Sequence, residues 1–171
     1  MSNSRASVLG FLAATVFAVS YVVATSGALP PTVASHFDGA GRANGFMSRS
    51  GYVGFSIGFA LVLPVLVGVV MPRALMSAPE LLNLPNKDYW LAPQRAADTF
   101  MFFATHMRWL GAAMALFAAG LHRSILRANG QETPRLASDD FSVVIIAFSV
   151  VMTIWIGLLL ARFRRPASAA V

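Results

Sequence analysis

Long apolar runs alternate with short polar stretches along the chain, and four of the runs are long enough to cross a membrane. They cover about residues 7–29, 51–71, 101–123 and 140–161. An α-helix needs about 20 mainly apolar residues to span a hydrocarbon core of about 30 Å. The pattern therefore predicts an all-α, polytopic membrane protein whose single domain is a bundle of four transmembrane helices. Two polar stretches, 30–50 and 73–98, are predicted to form structured loops.

Prolines and a serine mark the predicted boundaries of three of these helices. The first helix is expected to end at residues 29–31, Leu-Pro-Pro, and Pro64 predicts a kink near the middle of the second. Ser138 is the predicted N-cap of the fourth helix. Asp139 and Asp140 follow it and favour the positive end of the helix dipole.

The third helix is predicted to be longer than the membrane is thick. Pro93 suits a first helical position and Gly130 lies just past the expected end near Ala128. Such a helix would be about 54 Å long, so it must protrude from a core of about 30 Å, at its N-terminal end. The small residues of 111–120 permit close helix approach and predict a central position. The polar side of this helix carries Arg95, Asp98, His106 and Arg108.

The composition supports a membrane protein and excludes several other classes. Of the 171 residues, 57% are hydrophobic and only 12% are charged, whereas soluble domains carry about 25% charged residues. The 13 Lys and Arg residues sit mostly singly at the ends of apolar runs, without interleaved aromatics, which excludes a nucleic-acid partner. The absence of cysteine excludes disulfides, thiolate zinc sites and a cysteine nucleophile.

The distribution of cations predicts the orientation in the membrane. Four spans place both termini on one side, and the excess of Lys and Arg marks the cytoplasmic face. With cytoplasmic termini, the inner face holds Arg5, Arg73, Lys87, Arg95, Arg162, Arg164 and Arg165. The outer face then holds Arg42, Arg49, Arg123, Arg127 and Arg135. The first polar loop is therefore predicted to face outward and the second inward.

A cleaved signal peptide is the alternative interpretation of the first apolar run. Residues 1–5 resemble a short n-region, and 22–28 resembles a cleavage site. The run is longer than the apolar region of most signal peptides, about 7–15 residues, so we expect a retained helix.

The first polar loop combines turn residues with a histidine and one acid. Gly41, Gly45 and the Asp38-Gly39 pair supply positions where φ can be positive, so a compact shape is expected. His36 and Asp38 offer a metal only two ligands, which is too few, and we predict no metal site. His36 is instead expected to organise the loop by hydrogen bonding. The candidate ligand-binding or loop-organising residues are Pro30, His36, Phe37, Asp38, Gly41, Asn44 and Gly45.

Residues 83–95, the densest part of the second polar stretch, have two interpretations. They form either an interfacial turn anchored by aromatic side chains and a lysine, or a binding segment. Asn86 to Asp88 is predicted to form a turn after Pro85. The candidate residues of this second motif are Asn83, Pro85, Asn86, Lys87, Asp88, Tyr89 and Trp90.

The ionisable residues of the third helix offer little for catalysis. His106 and Arg108 lie about 200° apart around a helix and do not share a face. Arg108, and the His122-Arg123 pair near the other end, are expected to snorkel toward the membrane surfaces. His106 and His122 are about 24 Å apart along the helix and cannot clamp one haem in one protomer, which leaves an intersubunit haem as an alternative. We predict no enzyme activity and no cofactor.

The first polar loop resembles a known bacterial motif. Its pattern, L-P-x-x-V-P-x-H-F-x-x-x-G-x-x-x-G, follows the first membrane helix in SdpI-like membrane proteins, and residues 83–95 resemble a segment of the short proteobacterial members. Ala34 stands where the pattern has its second proline, and Arg49 where lysine is common. The matching residues are Leu29, Pro30, Val33, His36, Phe37, Gly41 and Gly45.

The resemblance implies a bacterial cytoplasmic-membrane protein. Its best-understood relatives protect the cell from a secreted toxic peptide and hold a repressor at the membrane. The expected function is thus envelope ligand sensing, immunity or signalling, with an unknown small-molecule or peptide ligand and a possible protein partner in the bilayer. The alternatives are an accessory or assembly subunit of a larger membrane complex and, with less support, a metal-dependent or haem protein.

Overall fold

The computed structural model describes residues 2–164. Its four long helical segments are each long and apolar enough to cross a membrane, as predicted. Arg165, counted above among the inner cations, lies outside the described residues. The four segments are α1 (Ser2–Thr25), a second segment (Arg49–Ser77), α5 (Ala96–Asn129) and α6 (Ser138–Arg162).

The long helix α5 is central to the bundle and packs against the other three segments. Its buried face carries Ala112, Ala115, Ala118 and Ala119, which meet small residues of neighbouring helices. Small side chains let helix backbones approach closely, and this packing stabilises helix pairs inside a membrane. The central position predicted from residues 111–120 is confirmed. By contrast, α6 packs on α5 and has no buried residue.

The second segment contains an irregular turn where a kink is predicted. Helix α2 (Arg49–Val65) contains Pro64, a π-helical turn (Leu66–Val70) follows, and α3 (Met71–Ser77) completes the segment. Proline lacks the N–H that would bond the preceding turn, and π-turns are a common accommodation in helices. The irregularity therefore lies immediately after the proline.

Helices α1, α2 and α5 meet around the ring of Phe11. A Cβ atom added to Gly111 would lie 2.8 Å from Phe11 Cε2 and 2.9 Å from the carbonyl oxygen of Pro64. A Cβ atom on Gly68 would lie 3.1 Å from the same ring carbon. Glycine at these two positions thus permits the close approach of the three helices.

The all-α prediction missed a β-hairpin in the first polar loop. Strands β1 (Thr32–Phe37) and β2 (Ala43–Ser48) pair antiparallel, with an irregular register around His36. The glycines and prolines of this stretch predict turns, whereas the pairing depends on contacts with the helices below. Val33 and Ala34 of β1 are fully buried against them, and this burial stabilises the strand.

Several predicted boundaries differ from the structure. Helix α5 begins at Ala96, so Pro93 is not its first residue. Ser138 is the first residue of α6 rather than its N-cap, and no side chain caps that helix. Much of the second polar stretch, predicted as a loop, is helical. Helix α3 extends to Ser77 and is followed by a 3-10 turn (Pro79–Leu81) and by the short α4 (Lys87–Trp90).

Candidate functional site

The hairpin is fastened to the end of α5 by one side-chain amide. Asn129 Nδ2 donates to the carbonyl oxygen of Ala34 at 2.9 Å, and its Oδ1 accepts from the amide of Ala34 at 2.8 Å. The same Nδ2 group donates to the carbonyl oxygen of Ile125. Asn129 therefore satisfies both backbone groups of a buried strand residue and fixes the position of β1 on the bundle.

The hairpin tip is also held by the connection between α5 and α6. The amide of Leu136 donates to the carbonyl oxygen of Gly41 at 2.9 Å. Gly41 has a φ of 75°, and a Cβ atom there would lie 2.6 Å from the carbonyl oxygen of Leu136. Both the conformation and the space require glycine at this position. The predicted positive φ is confirmed at Gly41 and is wrong at Gly39 and Gly45, whose φ is not positive.

Asp38 shapes the turn between the two strands. Its Oδ1 accepts hydrogen bonds from the amides of Ala40 and Arg42, each at 2.9 Å. The backbone hydrogen bond from Arg42 is the main influence that lowers the pKa of this exposed carboxyl from its ordinary value of 3.8. The bond from Ala40 and the nearby charges of Arg42 and Arg135 act in the same direction. Asp38 is thus a turn-forming anion at the rim of the site.

His36 is exposed on β1 and contacts the opposite strand. Its Nδ1 atom lies 3.2 Å from Asn44 Oδ1. Because a carbonyl oxygen only accepts, Nδ1 is the donor in this contact. Gly45 pairs with His36 in the strand register, and a Cβ atom there would lie 2.7 Å from His36 Cβ. The histidine therefore makes the loop-organising contact expected from the sequence and forces glycine across from it.

An open cleft lies between the hairpin tip and the start of α6. Its volume is about 970 Å³, and residues 35–41 form one wall. The other wall is formed by Gln131, by residues 135–138, and by Phe141 and Ser142. His36, Asp38 and Arg135 contribute an imidazole, a carboxylate and a guanidinium group, while Phe37 and Phe141 contribute aromatic surface. This arrangement offers hydrogen bonds, both charge signs and apolar contact to a small molecule or a short peptide.

The remaining first-loop candidates have supporting roles. Pro30 precedes β1, and its carbonyl oxygen accepts from Arg49 Nε at 3.4 Å. The neighbouring carbonyl of Pro31 accepts from the amide of Arg49 at 2.9 Å. Arg49, placed by the sequence pattern where lysine is common, thus ties the start of the hairpin to the start of α2. Neither Pro30 nor Arg49 lines the cleft.

A buried hydrogen-bond network below the hairpin escaped the sequence analysis. His122, 2% exposed, lies 3.0 Å through Nδ1 from the Tyr52 hydroxyl and 2.8 Å through Nε2 from Thr25 Oγ1. Thr25 donates its own hydrogen to the carbonyl oxygen of Tyr21, so it accepts from His122. Burial favours the neutral imidazole, and in that form His122 Nδ1 accepts from the Tyr52 hydroxyl.

This network corrects the predicted position of His122. The histidine does not snorkel; it joins α1, α2 and α5 beneath the hairpin, where Leu29 and Val33 pack with Tyr52. Its neighbour Arg123 is exposed instead and lies 3.9 Å from Asp140 of α6. The sequence does not distinguish the buried His122 from the exposed Arg123 beside it, since only the packing decides which helix face is covered.

The second motif lies at the opposite end of α5 and clamps the end of α6. Asn86 Nδ2 and Trp90 Nε1 both donate to the carbonyl oxygen of Phe163, at 3.2 and 3.1 Å. The Arg162 guanidinium carbon lies 4.3 Å from the centre of the Trp90 ring. Thr99 Oγ1 of α5 donates to the carbonyl oxygen of Trp90 at 2.9 Å. These contacts make the segment a helix-end clamp.

The other members of the second motif differ in their surroundings. Lys87 Nζ donates to the carbonyl oxygen of Glu80 at 2.7 Å, and the Arg95 guanidinium stacks on Tyr89 at 3.9 Å from the ring centre. Asn86 adopts a φ of 55°, the left-handed conformation that asparagine tolerates best after glycine. Asn83, Pro85 and Asp88 are exposed to solvent. The two predicted motifs are therefore about the length of α5 apart and share no cleft.

His106 is committed to a helix contact. It is 8% exposed, stacks on Trp155 with ring centres 4.6 Å apart, and its Nε2 lies 3.0 Å from the carbonyl oxygen of Trp155. Trp155 Nε1 donates in return to the carbonyl oxygen of His106. The prediction that His106 lies on the polar side of the helix is therefore wrong. The prediction that His106 and Arg108 lie on different faces is confirmed, because Arg108 contacts α1. Within residues 2–164, no group of three or more His, Cys, Asp or Glu side chains is placed to hold a metal ion.

Comparison with known proteins adds no relative. The chain matches no family model, no curated protein and no solved structure. Function is therefore argued from the geometry of the two ends of the bundle and from the chemistry that they present.

Proposed function

We propose that this membrane protein senses or neutralises a ligand from the cell envelope and has no enzymatic activity. The ligand occupies the cleft formed by the hairpin and the start of α6. In this proposal the protein is SdpI-like and lies in the bacterial cytoplasmic membrane with its termini in the cytoplasm, so that the cleft faces outward. The loop pattern and the distribution of cations support this assignment.

The single observation that carries the proposal is the composition of the cleft. His36, Asp38 and Arg135 converge on one open space of about 970 Å³, on a hairpin that Asn129 and Leu136 fasten to the bundle. A loop that served only as a connector would not need this fixation. Binding residues carried on a loop by a rigid scaffold are the usual arrangement of recognition sites.

The proposed ligand is a short peptide or a small molecule that is polar at one side and apolar at the other. Arg135 suits a carboxylate, Asp38 suits an amine, and Phe37 and Phe141 suit an apolar side chain. Affinity would come from the aromatic contacts, and orientation from the charged groups. A secreted antimicrobial peptide has this chemistry.

The proposed signal passes along α5 to the second motif. Asn129, in the last turn of α5, bonds the hairpin, and Thr99, in its first turn, bonds the clamp at Trp90. A displacement of the hairpin by a ligand would therefore act on a helix that contacts both sites. The exposed Asn83, Pro85 and Asp88 would offer the surface that a cytoplasmic partner reads.

The experiment expresses the chain in a sensitive bacterium and exposes the cells to fractions of secreted peptides. Wild-type protein should protect the cells, and a protective fraction should raise the melting temperature of the purified protein. We expect His36→Ala and Arg135→Gln to reduce both effects, because each removes a polar wall of the cleft. Glu132→Gln, an exposed change that does not line the cleft, is the matched control.

A separate measurement tests the relay. Asn86→Ala should leave the ligand-induced thermal shift intact and weaken recruitment of the cytoplasmic partner, measured by co-purification. Unchanged protection in His36→Ala together with unchanged recruitment in Asn86→Ala would contradict the proposal.

One observation favours a second function, that of an accessory or assembly subunit. No residue of α6 is buried, although the helix carries large apolar side chains along its length. A partner helix in a larger complex would cover this face. Purification in a mild detergent distinguishes the two functions, since an accessory subunit should co-purify with its complex in fixed stoichiometry. A monomeric preparation that still confers protection would exclude the accessory function.

A further inference from the structure

Arg108 is a cation on the membrane-spanning part of α5. Two contacts between α5 and α6 mark the two ends of the bundle. Arg127 pairs with Asp140 at 2.6 Å near one end, and the Arg162 guanidinium lies 5.4 Å from the Phe102 ring near the other end. Arg108 is six positions beyond Phe102 toward the first of these ends (108 − 102), about 9 Å along the helix. The side chain therefore begins inside the apolar layer.

The protein satisfies only part of the hydrogen-bonding capacity of Arg108. Its Nη1 donates to Ser7 Oγ of α1 at 3.0 Å, and Ser7 is fully buried. Ser7 in turn gives its hydrogen to the carbonyl oxygen of Ser4 at 2.8 Å. A guanidinium group carries five N–H donors in a planar fork. The contact with Ser7 fixes one side of that fork.

No carboxylate neutralises this cation in the described part of the chain. Within residues 2–164, the ion pairs closer than 4.0 Å are those of Asp140 with Arg123 and Arg127, near the hairpin end. A charged side chain inside a membrane is unfavourable unless it is paired or reaches polar surroundings. Arg108 is half-buried, so a counterion from outside the chain can reach it.

We propose that Arg108 binds the phosphate group of an anionic phospholipid. The lipid belongs to the leaflet at the end of the bundle where α1 begins and α6 ends. Side chains on a helix point toward its N-terminus, and for α5 this is the end that contacts Trp90 and the end of α6. The guanidinium is thus directed from the apolar layer toward the headgroups of that leaflet. Its planar fork matches two phosphate oxygens.

The surroundings favour a lipid over a carboxylate from another protein. Val8, next to Ser7, and Val70 and Met71, at the end of the π-helical turn, are exposed apolar side chains of the kind that contacts acyl chains. A Cβ atom on Gly68 of that turn would lie 3.5 Å from Arg108 Cα, so the turn flanks the arginine closely. The same end of the bundle is rich in cations, which attract anionic headgroups. These cations are Arg5, Arg73, Lys87, Arg95, Arg162 and Arg164.

The test uses the full chain, purified in detergent and stripped of lipid. Phosphatidylglycerol and phosphatidylcholine with identical acyl chains are titrated, and bound lipid is counted by native mass spectrometry. We expect wild-type protein to prefer phosphatidylglycerol and Arg108→Gln to lose about tenfold in its affinity for that lipid. Arg108→Lys should fall between them, because lysine keeps the charge without the fork. Arg164→Gln, which removes one of the surrounding cations and keeps Arg108, is the matched control and should lose much less than tenfold.

A thermal-shift measurement keeps the test decisive if Arg108→Gln folds poorly. Phosphatidylglycerol should raise the melting temperature of wild-type protein more than phosphatidylcholine does, and Arg108→Lys should show a smaller difference. Inorganic phosphate alone should have no such effect; equal stabilisation by inorganic phosphate would assign the site to a free anion instead. Equal affinity of wild type and Arg108→Gln for phosphatidylglycerol would overturn the proposal and leave the carboxylate of another protein chain as the counterion.

Discussion

The side-chain amide of Asn129 pairs with the backbone of Ala34 as a neighbouring strand would. One amide group of α5 donates to the carbonyl oxygen and accepts from the N–H of the same residue of β1, at 2.9 and 2.8 Å. Ala34 is fully buried, so water cannot replace these bonds. The relationship joins the predicted recognition loop to the central helix.

Replacement of Asn129 by alanine should therefore destabilise the hairpin. Two buried backbone groups would lose their partners, and each such loss costs about 1–3 kcal/mol. We expect a lower melting temperature and faster hydrogen exchange at the Ala34 amide. Asn83→Ala, which changes an exposed asparagine of the second motif, is the control. Unchanged exchange at Ala34 would show that the packing of β1 alone holds the hairpin.

Ala34→Pro tests the same contact from the strand side. Proline has no N–H, so Asn129 Oδ1 would lose its donor while Nδ2 kept its acceptor. The substitution should destabilise wild-type protein and should have a smaller effect in the Asn129→Ala background, because the lost bond is already absent there. Equal effects in both backgrounds would show that the two residues are not coupled.

The His122 network should make Tyr52 more important for stability than Tyr21. Tyr52→Phe removes the hydroxyl that donates to His122 Nδ1 and leaves that buried nitrogen without a partner, a loss of about 1–3 kcal/mol. Tyr21 contacts the same imidazole by the edge of its ring, with centres 5.6 Å apart. Tyr21→Phe keeps that ring contact and should change stability by less than about 0.5 kcal/mol. Thermal unfolding of the two variants in one detergent gives the comparison.

Each of the two side-chain donors to the Phe163 carbonyl should partly compensate for the loss of the other. Trp90→Phe and Asn86→Gly each remove one donor, and each should cost about 1 kcal/mol. Glycine is chosen at position 86 because it accepts the left-handed φ of 55° without strain. The double variant should lose more than the sum, since the carbonyl of a residue that is 1% exposed would then have neither side-chain donor.

The measurement for this clamp is the rate of tryptic cleavage at Arg162. Release of the end of α6 should accelerate it most in the double variant. Asp88→Asn, an exposed change in the same short helix, should cleave at the wild-type rate. Strict additivity of the two single changes would argue against a shared acceptor.

Asp38 should make the hairpin tip sensitive to acid. Its pKa is lowered in the folded protein, chiefly by the backbone hydrogen bond from Arg42, so the stabilisation is present above the ordinary value of 3.8 and is lost as the pH falls through the folded pKa below it. The amide resonances of Ala40 and Arg42 should titrate with a midpoint below 3.8. In Asp38→Asn this transition should be absent. A midpoint at or above the ordinary value would contradict the role of these hydrogen bonds.

The apolar pattern predicted the four spans well, because helix length in a membrane follows from local composition. A run such as 140–161 has no stable alternative to a helix when its backbone groups must be paired within hydrocarbon. The positive φ of Gly41 and the loop-organising contact of His36 were also predictable, since both depend on neighbours close in the sequence. Local turn chemistry is therefore readable before the fold is known.

Contacts between distant parts of the chain were not predictable in this way. The hairpin was missed because Val33 and Ala34 become strand residues only when α5 and α2 bury them. Residues 83–95 suggested a turn or a binding segment, whereas Asn86 and Trp90 are occupied by a carbonyl 77 and 73 positions away. Nothing within either segment specifies such a partner.

The sequence by itself determined that this protein has four helices long and apolar enough to cross a membrane and a shaped polar loop, because hydrophobic length and turn residues act locally. Only the tertiary structure decided that His122 is a buried junction and that Asn129 pairs with Ala34. It also decided that Asn86 and Trp90 of the second motif hold the end of α6. Each of these depends on which helix faces meet, and the packing of side chains from separate helices selects that arrangement.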